Sequence, residues 1–369
     1  MAKRKSGHVT LSDVAHAAGF SVSTVSIVLS EAPLSRHVAA TTREHIRATA
    51  AHLGYHPDAF ARSLRKRSSR TIGVLAFDLS DPYCVPIVRG IHSALQSSEY
   101  LPMVLDAQTE RRLFDEHLRL LLERRVEGVI VIASWVFDEA NLFADVRKNS
   151  VPIVIIGRDL SARGVSSFLL DNEEGGAQAL RHLAGLGHRR IAVITGPHEM
   201  FDSKPRWLGV ERASEECGIA LDPLLVQQLP SFGDAEHGFE GGREIAKRLV
   251  NTGRPFTAVL AFDDLTALGV VRGLAEMGIH VPQDCSVIGF DDVLPARVAT
   301  PAITTIRQPL RSMGEHAAQR MLERLAAPQQ ARERARVHKA APQLIVRSST
   351  ALYRKSESSK GRRKRLDSR

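Results

Sequence analysis

Between Val9 and Leu64 the chain reads VTLSDVAHAAGFSVSTVSIVLSEAPLSRHVAATTREHIRATAAHLGYHPDAFARSL, and these 56 residues carry three helix-start signals and two glycine stops. Punctuation this dense suits short helices joined by tight turns. Thr10, followed three residues later by Asp13, makes a capping box for a first helix, and Gly19 supplies the left-handed turn that ends it. Ser21 is placed to cap a second helix running through Ser30. Thr41 with Glu44 predicts a second capping box, opening a third helix that Gly54 closes. Leu11, Val14, Ala15 and Ala18 form one apolar face, Val25, Val28 and Leu29 a second, and Ile46, Ala50 and Leu53 a third, enough for a three-helix core. This leaves Val22, Ser23, Ser26 and Ile27 outward, where the second helix of a helix-turn-helix meets a DNA major groove.

A helix-turn-helix outline also occurs in domains that touch no DNA, so the rest of the chain must weigh in. Its 369 residues exceed what one core usually supports. Charge is polarised: 11 Lys and Arg face 4 Asp and Glu in residues 1–70, 8 face 2 in residues 354–369, and 31 face 35 between. A basic headpiece on a slightly acidic body fits attraction to phosphates at one pole better than general solubility. The end RKSESSKGRRKRLDSR reads as a basic disordered tail, with auxiliary DNA contact as the sharper alternative. The three cysteines, Cys84, Cys217 and Cys285, are isolated, which indicates neither a disulfide framework nor a thiolate metal site. No apolar run long enough to span a bilayer and no secretory leader are present, so the protein is expected in the cytoplasm.

From Thr71 onward apolar strands alternate with amphipathic helices: TIGVLAF, LPMVLDA, GVIVIAS and VPIVIIG, then a second set through RRIAVITGP, FTAVLAF and CSVIGFDDV. Such alternation predicts two α/β lobes in tandem, each a mostly parallel sheet covered by helices, with a cleft between them. Four strand ends carry polar groups: Asp78 to Tyr83, Arg158 with Asp159, Asp263 with Asp264, and Asp291 with Asp292. Strand carboxyl ends are where open α/β sheets bind ligands. Carboxylates beside aromatics suit a polyol or a nucleoside, because a carboxylate accepts hydroxyl protons, an arginine fork donates back, and a ring covers the apolar face of a sugar.

The string TVSIVLS, the later TTREHI, and LGYHPDAFARSLR resemble, in order and spacing, the headpiece and hinge of the LacI/GalR (lactose-repressor) family of bacterial transcription regulators. DNEEGGAQALRHLAGLGHRRIAVITGP, AFDDLTALGV, VPQDCSVIGFDD and TPAITTIRQP resemble the same family's effector-binding core, which is shared with periplasmic sugar-binding proteins. The resemblance runs from about Val9 to about Ser349. It implies a helix-turn-helix headpiece over residues 1–57, a hinge helix and linker over 58–70, an effector-binding core of two Rossmann-like lobes over 71–350, and a tail over 351–369. The lobes are expected at about 71–160 plus 293–325, and 161–292 plus 326–350. It further implies a homodimer on a near-palindromic double-stranded operator, a small-molecule effector of carbohydrate or nucleoside type, and no cofactor or metal.

By position in their motifs, Arg206 in PRWLGV, Asp291 in GFDD and Asp263 in AFDD match the family's effector contacts, and Tyr83, Phe232 and Gln308 are further candidates. Asp264 is expected to cap a helix beginning at Leu265, and Asp171 to be structural. For DNA, Ser21, Thr24 and Ser26 offer hydroxyls to phosphates, Val22, Ser23 and Ile27 face the bases, Arg36 is an additional phosphate candidate, and Lys3, Arg4 and Lys5 form a basic arm. Ala61 and Leu64 lie in the segment resembling the hinge, whose leucine enters the minor groove in the family. Val22, Ser23 and Ile27 cannot make the bidentate contacts by which Arg reads guanine or Gln reads adenine. Discrimination is therefore expected to rest more on the hinge and on DNA shape.

Catalytic signatures are missing: there is no phosphate loop, no G-x-G-x-x-G after a strand, no G-x-S-x-G elbow and no H-E-x-x-H. The glycines of HGFEGGREIAKRL open a helix, where close packing explains them. His182 and His188 fit a helix surface and a helix end better than a metal pair. The competing reading is a small-ligand-binding module without specific DNA readout, which salt-dependent DNA affinity would separate from a repressor.

Overall fold

The computed structural model describes residues 9–55, 68–133, 151–230, 235–326 and 335–354. The chain divides into two compact units, Met1–Ser69 and Arg70–Arg369.

The first unit holds α1 (Leu11–Ala18), α2 (Val22–Leu29), a 3-10 turn (Pro33–His37) and α3 (Ala40–His52). The Thr10 capping box closes in both directions: the Asp13 carboxylate accepts from the Thr10 N–H at 2.8 Å, and the Thr10 hydroxyl accepts from the Asp13 N–H at 3.3 Å. Gly19 takes φ 71°, and Ser21 Oγ accepts from the Thr24 N–H at 3.1 Å. Val14, Val25, Val28 and Ile46 are fully buried beside Ala15, Ala18 and Ala50, with Leu29 and Leu53 half-buried around them. At about 2 kcal/mol for each fully buried branched side chain, such a core leaves the unit marginally stable. The second capping box does not form. Ala39 is already extended and α3 begins at Ala40, so Thr41 sits inside the first turn, two residues past the cap position.

The second unit contains two six-stranded sheets. The first is ordered β2 (Leu101–Asp106), β1 (Thr71–Ala76), β3 (Gly128–Ile132), β4 (Ile153–Ile156), β5 (Ser166–Leu170) and β11 (Val337–Ala340), all parallel. The second is ordered β7 (Val226–Gln228), β6 (Ile191–Thr195), β8 (Ala258–Leu260), β9 (Ser286–Asp291), β10 (Thr304–Arg307) and β12 (Gln343–Ile345). It is parallel except where β12 runs against β10. The helices α4 (Cys84–Leu95), α5 (Arg111–Glu123) and α11 (Leu310–Ala326) cover the first sheet. α6 (Asn172–Gly185), α7 (Ser203–Glu216), α8 (Ala235–Asn251) and α9 (Asp264–Glu276) cover the second, with α10 (Leu294–Val298) following β9. The central strands β1, β3, β4, β8 and β9 are buried almost throughout, which is why they read as apolar runs, whereas the edge strands β2, β7, β11 and β12 are half-buried or exposed.

The chain passes between lobes three times, at Leu170–Asn172, Arg307–Leu310 and Ala340–Gln343. These crossings revise the lobe boundaries expected from sequence. Residues 161–170 belong to the first lobe, because Phe168 pairs with Ile156 and Ser167 Oγ accepts from the Leu160 N–H at 2.9 Å. Residues 293–307 belong to the second, because β10 pairs with β9 and Thr305 Oγ donates to the Asp264 carboxylate at 2.6 Å. Only 310–326 returns to the first lobe. There α11 lies so close to α4 that a Cβ on Gly314 would fall 2.1 Å from the Ile87 carbonyl oxygen. The segment 326–350 is split, β11 adding to the first sheet and β12 to the second. Close packing explains Gly242 of α8, where a Cβ would stand 2.2 Å from the Thr266 carbonyl of α9, and Gly241, where it would press on the Leu229 side chain at 2.8 Å, but not Gly238, where the nearest atom would be 3.7 Å away.

Candidate functional site

In the first unit the outward face of α2 is built by its own capping. Ser21 Oγ turns inward to hold the Thr24 N–H and stands 2.8 Å from Thr24 Oγ1, so both hydroxyls cluster at the helix N-terminus. Val25 and Val28 anchor the opposite side in the core. Ser21, Val22 and Ser23 are exposed, Val22 at 46% despite being apolar, and Thr24, Ser26 and Ile27 are half-buried along the same face. Arg36 is exposed in the 3-10 turn. Ala61 and Leu64, like Lys3, Arg4 and Lys5, lie outside the described residues.

In the second unit the strand orders reverse direction between β1 and β3 and again between β6 and β8, which gives each lobe a topological switch point. The loops leaving those strands converge on one cavity of about 50 Å³. The first lobe contributes Phe77, Asp81, Tyr83 and Ala133, and the second Asp202, Phe262 and Asp263 from the β6 and β8 ends. Arg206, Asp291 and Gln308 complete it. Five of the six sequence-assigned effector residues therefore meet at one place, and Phe232 lies outside the described residues.

Arg206 is the cavity's cation. It is buried, its guanidinium donates to Asn172 Oδ1 from Nη2 at 2.9 Å and from Nε at 3.2 Å, and Nη1 donates to the Phe262 carbonyl at 2.5 Å. It lies over the Phe290 ring at 3.5 Å and beside that of Phe262 at 4.5 Å, so cation–π contact compensates part of its desolvation. Asn172 is held in turn by donating to Asp202 at 2.8 Å. Asp291, at the end of β9, has φ 108°, a left-handed backbone that few non-glycine residues adopt. Its carboxyl accepts from Gln308 Nε2 at 2.5 Å, and burial, only partly offset by Arg206, drives its pKa well above the usual carboxylate range. Burial also pushes Asp81 up to about 7, with the Tyr83 N–H bonded to its Oδ1 opposing and Asp263 and Asp78 adding to the rise. The Tyr83 hydroxyl is driven upward by burial and then by Asp202 and Asp291. Four carboxyl groups around one guanidinium give the cavity more acceptors than donors, with two of the four biased toward holding a proton.

The two aspartate pairs divide their work differently from the expectation. Asp263, not Asp264, caps α9, its Oδ1 accepting from the Thr266 N–H at 2.7 Å while the residue still faces the cavity. Asp264 is the first helical residue and fully buried; it accepts from the Val293 N–H at 2.9 Å and from Thr305, and burial raises it to about 7. The reason is geometric, since the residue that caps a helix precedes the first helical φ/ψ, and here the helix opens at Asp264. Asp171 is structural as expected, capping α6 through the Glu174 N–H at 3.1 Å. Arg158 and Asp159 do not line the cavity, and Asp159 instead accepts from the Ser161 N–H at 2.9 Å. His188 is a buried anchor for the C-terminal segment, its ring nitrogens within 3.1 Å of Thr257, Ser286 and the Ala351 carbonyl. Asp81 lies within the strand end Asp78 to Tyr83 named from sequence, but sequence reasoning did not single out Asp202, Asn172 or Phe262. Asp202 follows the end of β6, a strand end that the same reasoning did not consider.

The segment 10–58 matches the model of the bacterial regulatory proteins of the lacI family, and 180–350 that of a periplasmic binding protein-like domain. The HTH-type transcriptional repressor PurR of Erwinia tasmaniensis is 36% identical over 344 residues, covering 93% of this chain and 97% of its own length. Among solved structures, the Lac repressor dimer bound to operator and the anti-inducer ONPF is similar at a TM-score of 0.79 and 27% identity, covering 94% of this chain and 100% of its own. The complex of the transcriptional regulator CelR with cellobiose is similar at 0.68 and 28%, covering 93% and 100%. With headpiece, doubly wound lobes and near full-length identity in agreement, the chain belongs to the LacI family of bacterial regulatory proteins.

Proposed function

We propose that this protein is a DNA-binding transcriptional repressor whose operator affinity is set by a small polar molecule held between the two lobes of its α/β unit. The observation that carries the reading is the convergence of Arg206, Asp291, Asp263, Tyr83 and Gln308 on one cavity in a chain that also carries an exposed α2 face. Two copies place two α2 helices on the half-sites of a near-palindrome; the similar Lac repressor structure is a dimer bound to operator. Val22, Ser23 and Ile27 face the bases, and Ser21, Thr24, Ser26 and Arg36 face phosphates.

The surplus of acceptors selects a ligand that donates: a ring bearing several hydroxyl or N–H groups, with Arg206 meeting its one strong acceptor. The cavity of about 50 Å³ is far below the few hundred of an ordinary ligand pocket, so the lobes part to admit the molecule and close on it. Because the chain crosses between lobes three times, closure turns the lobes against one another about fixed hinges. A ligand with different affinity for the open and closed forms shifts the population that binds operator.

The test is selection of genomic fragments by the full chain, with and without competitor DNA at near-physiological salt. Enrichment of a near-palindrome establishes the repressor and supplies the probe for a ligand screen. Weak, salt-labile and sequence-blind binding would leave a ligand-binding module without readout.

A further inference from the structure

Beside the cavity, a second and more open pocket of about 480 Å³ lies at the ends of β9 and β10, next to α10 and the first turn of α11. Its floor is Asp292, fully buried at the side chain and holding three guanidinium groups: Arg297 at 3.0 Å, Arg307 at 2.6 Å, and Arg347. One carboxylate against three cations leaves an excess of two positive charges at one point. Arg347 serves as a lock, donating also to the Ile303 carbonyl at 2.8 Å with its side chain only 16% exposed. Arg307 differs. It reaches Asp292 through Nε alone, its side chain is 40% exposed, and among the described residues its two Nη groups donate to no protein acceptor. Arg311 adds a further cation on the wall, paired with Glu315 at 3.0 Å, and the start of the 17-residue α11 borders the same space. The remaining acid, Asp291, is engaged by Gln308.

We propose that this pocket is a second ligand site, specific for a small molecule carrying a phosphoryl group, bound by the outward fork of Arg307 with Arg297 and the start of α11. A guanidinium fork matches two phosphoryl oxygens, and a helix start offers N–H groups to a third. Asp291 and Gln308 stand in the walls of both pockets, so the two sites are separated by one hydrogen bond. The proposal does not depend on the identity of the cavity ligand.

The test is equilibrium dialysis of the full chain against radiolabelled inorganic phosphate, with ionic strength held constant by KCl. Phosphate held by the basic headpiece is common to every variant, so differences between variants report the pocket. Arg307→Gln removes the free fork while Asp292 keeps Arg297 and Arg347. Ser312→Glu places a carboxylate in the pocket at the start of α11, leaves the Asp292 cluster intact, and is favourable to the helix dipole. We expect the parent to bind one saturable equivalent more than Ser312→Glu, and both variants to lose affinity at this site by at least tenfold. Equal binding by parent and both variants, or loss of the extra equivalent to chloride at the same ionic strength, would overturn the proposal.

Discussion

The headpiece and the α/β unit place their working groups at opposite ends of the burial scale. On the outward face of α2, Val22 and Ser23 are exposed and Ile27 is half-buried, and the seven residues behind them form a small core; around the cavity Arg206 and Gln308 are buried, and the central strands behind them are fully packed. A surface that must meet a DNA groove needs little scaffolding, and its chemistry is cheap to change. A buried polar site makes every side chain part of the fold as well as of the ligand's surroundings, so function and stability there are coupled. Mutations should separate the two regions.

The largest effect is expected from Arg206→Ala. It strands Asn172 and the Phe262 carbonyl, opens space against Phe290, and leaves Asp291 without its counter-charge; loss of about 4 kcal/mol in the unfolding of the α/β unit is expected, together with ligand binding. An unchanged unfolding midpoint would break the comparison. Next, Ile46→Ala, at the centre of the three-helix core, should cost about 3 kcal/mol and abolish DNA binding while the melting of the α/β unit stays where it was. A shift of both transitions together would show that the units do not unfold separately.

A pH series sharpens the contrast. In the fold Asp81 holds its proton up to about pH 7, whereas in the unfolded chain it releases it near pH 4. Across that window the native state binds more protons, so this group's contribution to stability falls as pH rises and levels off above 7. Asp81→Asn should therefore gain stability relative to the parent between pH 4 and 7, and a pH-independent difference by chemical denaturation would refute the assignment. Smaller in scale, Leu64→Ala should weaken binding to a specific operator roughly tenfold and exceed the loss in Ile27→Ala, because an apolar contact on α2 reads little more than a thymine methyl. Equal losses in one titration would return the readout to α2. Smallest is Thr10→Ala, which opens the capping box and should lower the headpiece melting point by a few degrees without altering the operator selected.

Legibility in the sequence followed the range of the interactions involved. The first capping box, the Gly19 turn and the Ser21 cap are contacts within a few residues, and the buried faces of α1 to α3 follow helical spacing along the chain, so local pattern sufficed. The Thr41–Glu44 pair had the right spacing and still failed, because extended backbone at Ala39 starts α3 before Thr41 can cap it. That Arg206, Asp291 and Asp263 come together was legible from their motifs. Asp202 and Asn172 were not, since what brings them into play is Arg206 arriving from α7, 34 residues after Asn172.

The sequence by itself determined the element types, the polarity of the charge, the exposed face of α2 and three of the four named strand ends that meet at the cavity, because each is written in periodicity, caps or strand termini. Tertiary structure decided which lobe owns each late segment, and which aspartate of each pair faces the cavity and which locks the fold. Asp263 and Asp264 are chemically identical neighbours. Only the start of α9, the Val293 N–H and the Thr305 hydroxyl tell them apart, and the last two arrive from 29 and 41 residues away.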